Sequence, residues 1–189
     1  MTRELIIRAA QGDADAYEQI VRLHQEAVFR LAYLIVGDAQ DAQDVAQEVF
    51  IRAYRGLHHF DTSRPLRPWL LQIAKNLARN RRRTAGRYLA VLQRAFMHIS
   101  GSVHIAASAE SDVDQRWEVQ ALWDSIQQLP KPDQEVIYLR YMLDLSTQET
   151  AEVLGVAPGT VKSRLSRALE RLRGVIEAEF PLLMEGRTL

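Results

Sequence analysis

Apolar residues recur at helical spacing along nearly the whole chain, and no segment alternates apolar and polar residues long enough to predict a strand. The clearest stripe in the first part of the chain runs from Tyr17 to Ile35. Gly12-Asp13 and Gly37-Asp38 bound it, because aspartate caps a helix and glycine ends one. The pattern therefore predicts a short helix over 3–11, a long helix from Asp13 to about Val36 and a third helix to about Leu57.

A loop over 58–68 should precede a fourth helix over 69–83 with two different faces. The apolar face carries Trp69, Leu70, Ile73 and Leu77, and the polar face carries Gln72, Lys75, Asn76, Arg79 and Arg83. An aromatic support, an amide and a basic stripe suit a single-stranded nucleic acid. A core tryptophan beside a solvated, arginine-rich helix explains the same spacing equally well, so the pattern leaves both interpretations open.

Residues 85–112 carry little periodicity, and their Ser, Gly and Ala content predicts a flexible linker, after a helical extension through Met97. The domain organisation expected is therefore 1–85, a linker over 86–112 and a second domain over 113–180. The second domain should begin with a helix to Gln128 and continue with one from Asp133. The residues expected to form the apolar face of its first helix are Trp117, Ala121, Leu122, Ile126 and Leu129.

Residues 146–173 predict a helix-turn-helix. Ser146 and Glu149 have the spacing of a capping box, Gly155 can end the first helix, and Pro158 suits the first turn of the second. In that second helix the apolar stripe is Val161, Leu165, Ala168, Leu169 and Leu172, and the opposite face carries Ser163, Ser166, Arg167 and Glu170. Five basic residues against one acid over 159–173 favour a phosphate-facing helix over a solvated helical hairpin.

The charges are segregated although the net charge is zero. Six basic residues and no acid lie over 75–87, and four acids and no base lie over 38–48. Such blocks indicate two partners of different charge. There is no cysteine, no signal peptide and no apolar run long enough for a membrane span, which predicts a soluble, cytoplasmic protein without membrane insertion.

The sequence offers no catalytic constellation. It has no phosphate-binding glycine loop, no Ser/His/Asp grouping and no cluster with metal-ligand spacing. Asp41 and Asp44 lie three residues apart without a nearby histidine, His24 lies on an apolar stripe, and His58-His59 belong to a loop. The chain is therefore expected to be no enzyme and to bind neither a cofactor nor a metal.

Three stretches carry a family resemblance: GDAQDAQDVAQEVFIRAYRGLHHFD at 37–61, RPWLLQIAKNLARNRRR at 67–83, and the segment over 129–173 that contains the helix-turn-helix. Together and in this order they resemble the extracytoplasmic-function (ECF) group of bacterial sigma-70 factors. The resemblance implies an all-α fold of two small helical domains joined by a flexible linker, the C-terminal one a helix-turn-helix, winged-helix-like domain.

The resemblance further implies a promoter-specificity subunit. Its partners would be core RNA polymerase, through the clamp and flap regions, promoter DNA and a separate anti-sigma factor. Core-polymerase binding falls to Asp44, Gln47, Glu48, Ile51 and Arg55. The residues implied in minus-ten recognition and melting are Phe60, Trp69, Lys75, Asn76, Arg79, Arg82 and Arg83. Arg81 belongs to the same basic run. The loop 60–67 would help to hold a flipped base. Minus-thirty-five recognition falls to Pro158, Gly159, Thr160, Lys162, Ser163, Ser166 and Arg167.

An alternative is a stand-alone helix-turn-helix regulator, which requires only 146–173 and leaves the acidic and basic helices without a use. Four residues depart from the family pattern, the first being Thr147, near which the family often has an aromatic residue. Thr150 stands where an aliphatic residue is common and should face the core, and Pro65 and Pro68 should stiffen the loop before the fourth helix.

Overall fold

The computed structural model describes residues 2–95 and 113–181, with side chains over 3–84 and 117–181. The chain divides into two compact units. The first is built on α1 (Thr2–Ala10), α2 (Ala14–Val36), α3 (Ala39–Gly56) and α4 (Leu66–Ala95), and the second on α5 (Val113–Gln128), α6 (Lys131–Ile137), α7 (Thr147–Leu154) and α8 (Pro158–Glu179). These described residues contain no strand. The all-α expectation is confirmed. Within the described residues the second unit shares with winged-helix domains its helix-turn-helix and no strands.

Local capping signals set the ends of the helices in the first unit. The Asp13 carboxylate accepts a hydrogen bond from the amide of Ala16 at 3.0 Å, and the Asp38 carboxylate accepts one from the amide of Asp41 at 2.8 Å. Gly37 ends α2 in the left-handed conformation, with φ of 83°, and its amide donates to the carbonyl of Tyr33. Each contact satisfies a backbone group that the helix end leaves free.

The core of the first unit lies where α2, α3 and α4 pack together, with α1 against α2. Apolar residues from all three helices are buried there: Val28, Leu31, Ile35, Val45, Val49, Ala53, Leu70, Leu71, Ala74 and Ala78. The Tyr17 hydroxyl on α2 donates to the carbonyl of Phe50 on α3. Burial raises the pKa of Tyr17 to about 12, so this donor keeps its proton at neutral pH.

Helix α4 differs from its prediction in both length and orientation. It begins at Leu66 rather than Trp69, since the missing amide hydrogen of Pro68 does no harm in a first turn. It continues to Ala95, past the predicted domain boundary at 85 and along the helical extension that was expected through Met97. The rest of the predicted linker, including Met97, lies outside the described residues.

The buried face of α4 is also rotated from the predicted one. It consists of Leu66, Leu70, Leu71, Ala74 and Ala78, whereas Trp69, Ile73 and Leu77 are half-buried at its edge. Packing against α2 and α3 selects this face, and the spacing of apolar residues does not distinguish the two.

The second unit packs α5 and α6 against α8. Trp123 on α5 stacks on Tyr138, with ring centroids 5.9 Å apart, and the Gln134 side chain donates to the carbonyls of Gln127 and Leu129 at 2.7 and 2.8 Å. Arg171 on α8 donates to the carboxylate of Asp133 on α6. These contacts join α5 and α8 to α6 and to the residues that follow it, and α8 is the second helix of the helix-turn-helix.

Some predicted core residues of the second unit are exposed. Trp117, Leu122 and Leu169 lie on its surface, and Trp123 is buried instead. Helix α6 begins at Lys131, two residues before the predicted start, because Pro132 fits its first turn. Beyond Ile137 the helix widens into a π-helix over Tyr138–Met142 before the chain turns into α7.

Candidate nucleic-acid interface

Phe60 and Trp69 come together at the loop before α4. Their rings lie 4.8 Å apart between centroids and are tilted by 42°. Gly56, at the end of α3, lies under the same indole, because a Cβ placed on it would be 3.5 Å from Trp69 Cζ2. The two aromatic residues of the predicted minus-ten set therefore form one half-buried cluster that supports the loop.

The loop itself is ordered by Asp61. Its carboxylate accepts a hydrogen bond from the amide of Ser63 at 2.9 Å, and its carbonyl accepts one from the amide of Arg64 at 3.0 Å. Hydrogen bonds from Ser63, and the charges of Arg64 and Arg3, lower the pKa of the Asp61 carboxyl. Asp61 is therefore ionised at neutral pH and holds a tight turn just before α4.

Beyond this cluster, the outer face of α4 presents polar and basic groups. Asn76 and Arg83 are exposed, Arg79 and Arg82 are half-exposed, and the Arg82 guanidinium donates to the carbonyl of Ile35 at 3.3 Å. An amide and arginines along one helix face match the groups that contact bases and phosphates of a single strand.

Two basic residues of α4 do not lie on this open face. Lys75 is buried and has a polar partner. Arg81 turns toward α3, where its Nη2 atom lies 2.6 Å from Oδ1 of Asp41 and 3.2 Å from Oδ2 of Asp44. Their assignment to phosphate contacts therefore stays a prediction, and Arg81 already has acidic partners on α3.

The predicted polymerase-binding residues form one outward stripe on α3. Gln47, Ile51 and Arg55 are exposed, and Asp44 and Glu48 lie beside them at helical spacing. Glu48 forms an ion pair with Arg52 at 2.6 Å. Tyr54, half-exposed and packed edge-on against Tyr17 with centroids 4.9 Å apart, adds an aromatic that the sequence reading missed. The stripe thus combines acids with apolar surface, which indicates a docking face.

The helix-turn-helix begins with the capping box that the sequence predicts. The Ser146 amide donates to the Glu149 carboxylate at 2.8 Å, and the Glu149 amide donates to the Ser146 hydroxyl at 3.1 Å. Gly155 has a φ of 70°, which other residues rarely adopt, and turns the chain toward α8. Pro158 then starts α8, whose first amide hydrogens point out of the helix end.

The predicted minus-thirty-five residues occupy the first turns of α8. Pro158, Gly159, Lys162, Ser163, Ser166 and Arg167 are exposed, and Thr160 is half-buried. The Ser163 hydroxyl donates to the carbonyl of Thr160 and the Arg167 guanidinium to the carbonyl of Ser163, both at 3.2 Å. The predicted minus-thirty-five residues therefore lie together at the start of α8. Of the five basic residues over 159–173, Arg171 is engaged by Asp133, a pairing across 38 residues that no local pattern signals.

No metal site or membrane span is found within 2–95 and 113–181. That part of the chain holds no group of three His, Cys, Asp or Glu residues that suits a metal ion, and the rings of His58 and His59 lie 3.9 Å apart between centroids and are tilted by 43°. None of the helices there is both long and apolar enough to cross a bilayer.

Both units match regions of one known protein family. Residues 20–88 match Sigma-70 region 2, and residues 119–172 match Sigma-70, region 4. The ECF RNA polymerase sigma factor SigW of Bacillus subtilis is 34% identical over 179 residues, covering 92% of this chain and 95% of SigW. The RNA polymerase sigma-H factor of Pseudomonas aeruginosa is 34% identical over 190 residues, covering 97% of this chain and 96% of that protein.

A solved structure agrees with these relatives. CnrH, in its complex with the cytosolic domain of CnrY, matches with a TM-score of 0.70 and 27% identity, covering 94% of this chain and 97% of CnrH. The region 2 match lies on α2–α4 and the region 4 match on α5–α8, so each compact unit corresponds to one region. The chain therefore belongs to the sigma-70 family, and within it to the ECF RNA polymerase sigma factors.

Proposed function

We propose that this protein binds core RNA polymerase and directs it to promoters by recognising minus-ten and minus-thirty-five elements. The observation that carries the proposal is the presence of region 2 and region 4, in that order, on two helical units of one chain. The protein has no catalytic activity of its own in this role, and it acts in the cytoplasm, where polymerase and DNA are.

Polymerase docking is assigned to α3. Asp44, Gln47, Glu48, Ile51 and Arg55 would contact the clamp of the largest subunit, and region 4 would contact the flap. The support is a continuous outward stripe in which charged groups surround the exposed Ile51. Burial of the Ile51 side chain on binding would contribute to the affinity for polymerase, and the surrounding charges would set the orientation of α3 on its partner.

Minus-ten recognition is assigned to the loop before α4 and to the outer face of α4. Phe60 and Trp69 would support a strand, Asn76 would contact a base, and Arg79, Arg82 and Arg83 would contact phosphates. Unstacking and unpairing a base costs roughly a few kcal/mol, and contacts that hold the extruded base would offset this free energy. Lys75 is a further candidate phosphate contact in this set.

Minus-thirty-five recognition is assigned to the start of α8. Lys162, Ser163, Ser166 and Arg167 would face the major groove, and the backbone at Pro158, Gly159 and Thr160 would meet a phosphate at the helix N-terminus. The hydrogen bonds of Ser163 and Arg167 to their own helix backbone would be exchanged for contacts with DNA.

A separate anti-sigma factor is the proposed regulator. CnrH was solved with the cytosolic domain of CnrY, and its overall similarity to this chain supports a comparable partner here. The stand-alone regulator considered from the sequence is not favoured, because it gives no role to the region 2 match over 20–88.

Reconstitution tests the proposal. The full-length protein is mixed with purified bacterial core polymerase, and holoenzyme formation is measured by size exclusion. Transcription from a genomic fragment library is then sequenced from its start sites. A shared pair of upstream elements at the start sites supports the function. Failure to form a holoenzyme, or an operator protected equally well without polymerase, contradicts it.

A further inference from the structure

One side of α5 is apolar from its middle to its end but is buried over only the later part. Val119, Leu122, Ile126 and Leu129 follow one another there at helical spacing. Ile126 and Leu129 are 3% and 4% exposed, whereas Val119 and Leu122 are 60% and 42% exposed. Within the described part of the second unit, Val119 and Leu122 therefore form an uncovered continuation of a core stripe, which we call the open α5 face.

The end of α8 lies beside the end of α5. The side chain of Gln128, the last residue of α5, donates to the carboxylate of Glu179, the last residue of α8. Phe180 then leaves the helical conformation, with φ of −135° and ψ of 55°, and Pro181 has no amide hydrogen to continue the helix. The chain after α8 therefore starts next to the helix that carries the open α5 face.

The residues that come next are apolar. The sequence over 182–189, which follows the described part of the chain, is LLMEGRTL, so Leu182, Leu183 and Met184 stand directly after Pro181. Extended chain from Glu179 to Met184 spans at most about 17 Å. The distance along α5 from Gln128 back to Leu122 is about 9 Å. The apolar run after α8 is thus long enough to reach the open α5 face.

The chain just before α5 is less suited to cover this face. Its residues over 106–112 are AASAESD, which are small or polar, and the nearest large apolar residue before α5 is Ile105. Burial of apolar area is the driving force for such a contact, and side chains of this kind supply little of it. Of the two segments that flank the described second unit, the one after α8 has the better composition and the closer starting point.

We propose that the segment Leu182–Met184 packs on the open α5 face. The contact would extend the buried stripe of Ile126 and Leu129 toward the start of α5 and would remove an exposed apolar patch from the surface of the second unit. A protein that docks on this side of α5 would first have to displace the segment. The proposal concerns the second unit alone and does not depend on the proposed function.

Cysteine cross-linking tests the contact directly, because the chain contains no cysteine of its own. In the full-length protein, Leu122→Cys is combined with Leu182→Cys, Leu183→Cys or Met184→Cys. The matched controls combine the same three tail cysteines with Asp124→Cys, an exposed position on the opposite side of α5. Disulfide formation under mild oxidation is followed on non-reducing gels at several protein concentrations.

We expect at least one of the Leu122 pairs to close about tenfold or more faster than its Asp124 control. A docked segment holds its cysteine at a high effective concentration on one side of the helix only. The rate should not change with protein concentration, because both cysteines belong to the same chain.

A double-mutant cycle measures the same contact without a cross-link. Leu122→Ser and a tail variant with serine at 182, 183 and 184 are made separately and together, and the free energy of unfolding is measured in urea. The combined loss should be smaller than the sum of the two separate losses, because the second change removes a contact that is already lost. The control cycle replaces Leu122→Ser with Leu23→Ser, a change at an exposed leucine of α2, and its losses should add.

The inference is overturned if the Leu122 and Asp124 pairs close at the same rate, or if the losses of Leu122→Ser and the tail variant add fully. Disulfide-linked dimers of the Leu122→Cys single variant, formed faster at higher protein concentration, would instead assign the open α5 face to a second copy of the chain. Circular dichroism establishes that each variant is folded, and Leu122→Thr replaces Leu122→Ser if that variant does not fold. Neither measurement contains polymerase or DNA, so failure of holoenzyme formation would overturn only the proposed function.

Discussion

Arg81 on α4 forms an ion pair with Asp41 on α3, with 2.6 Å between Nη2 and Oδ1, and its Nε atom donates to the same oxygen at 2.9 Å. The hydrogen bond with Asp41, more than the charge of Asp44, raises the pKa of the guanidinium. An arginine from the basic helix is thus directed toward the acidic helix. The two charge blocks that the sequence segregates meet within one unit, and each is partly neutralised there.

This pairing predicts different roles for neighbouring arginines. Arg81→Gln should leave single-stranded DNA affinity nearly unchanged, because that side chain is turned away from the open face. Arg83→Gln should weaken binding and lower the salt slope by about 0.7, the effect of one lost phosphate contact. Fluorescence anisotropy over a salt series measures both. Equal losses in the two variants would contradict the assignment.

Ile51 should contribute to polymerase docking. Ile51→Ala is expected to weaken holoenzyme formation by about 1 kcal/mol, roughly fivefold in Kd, because less apolar area is buried on binding. Ile7→Ala is the matched control, since Ile7 on α1 is 41% exposed and Ile51 is 40% exposed. Competition with a labelled reference sigma factor measures the affinities. A similar loss for both variants would indicate a non-specific effect.

Asn76 should act in strand opening. Asn76→Ala should reduce the permanganate reactivity of promoter thymines about tenfold or more, while closed-complex formation in gel shifts stays near wild type, because a base contact forms only after extrusion. Asn80→Ala, one turn further along the exposed side of α4, is the control. Unchanged permanganate reactivity in the Asn76 variant would contradict the assignment of this residue to the minus-ten site.

Arg167 should read the upstream element. Arg167→Ala is expected to cost about 1–3 kcal/mol on the preferred sequence and to relax preference at one base pair, as for a lost base-edge contact. Arg173→Ala, exposed on the same helix beyond the predicted contacts, should change neither. Selection from a randomised upstream library measures preference. A uniform loss on all sequences would make Arg167 a phosphate contact instead.

Thr150 is a position where substitution should stabilise the protein. Its side chain is fully buried, and its hydroxyl has no hydrogen-bond partner. Thr150→Val keeps the shape and removes the unsatisfied group, whose burial costs about 1–3 kcal/mol, so urea unfolding at pH 7 should show a gain of about 1 kcal/mol. Thr147→Val, at a half-buried position, is the control. A loss of stability in Thr150→Val would reveal a partner for the hydroxyl.

Local signals in the sequence determined much of the fold. Asp13, Asp38 and the Ser146–Glu149 pair cap the helices that they were predicted to cap, and Gly155 makes the turn. Each of these contacts joins residues within one turn of chain, so the residue types and spacing are sufficient. The outward residues of α3 and α8 were predicted for the same reason, because one amphipathic helix defines its own two faces.

Tertiary packing decided which of two compatible faces of α4 is buried. Trp69 and Leu71 both lie on apolar stripes, and only the position of α2 and α3 places Leu71 in the core and Trp69 at its edge. In the second unit, packing buried Trp123 and left Trp117 and Leu169 exposed.

Contacts between distant parts of the chain were likewise a property of the fold alone. The Arg81–Asp41 and Arg171–Asp133 pairs, and a surface cavity that Arg3, His24 and Arg67 line, bring together residues from separate helices. Helical periodicity specifies how a residue is oriented on its own helix. It does not specify which other helix that residue meets, because that depends on how side chains of several helices fill a shared core.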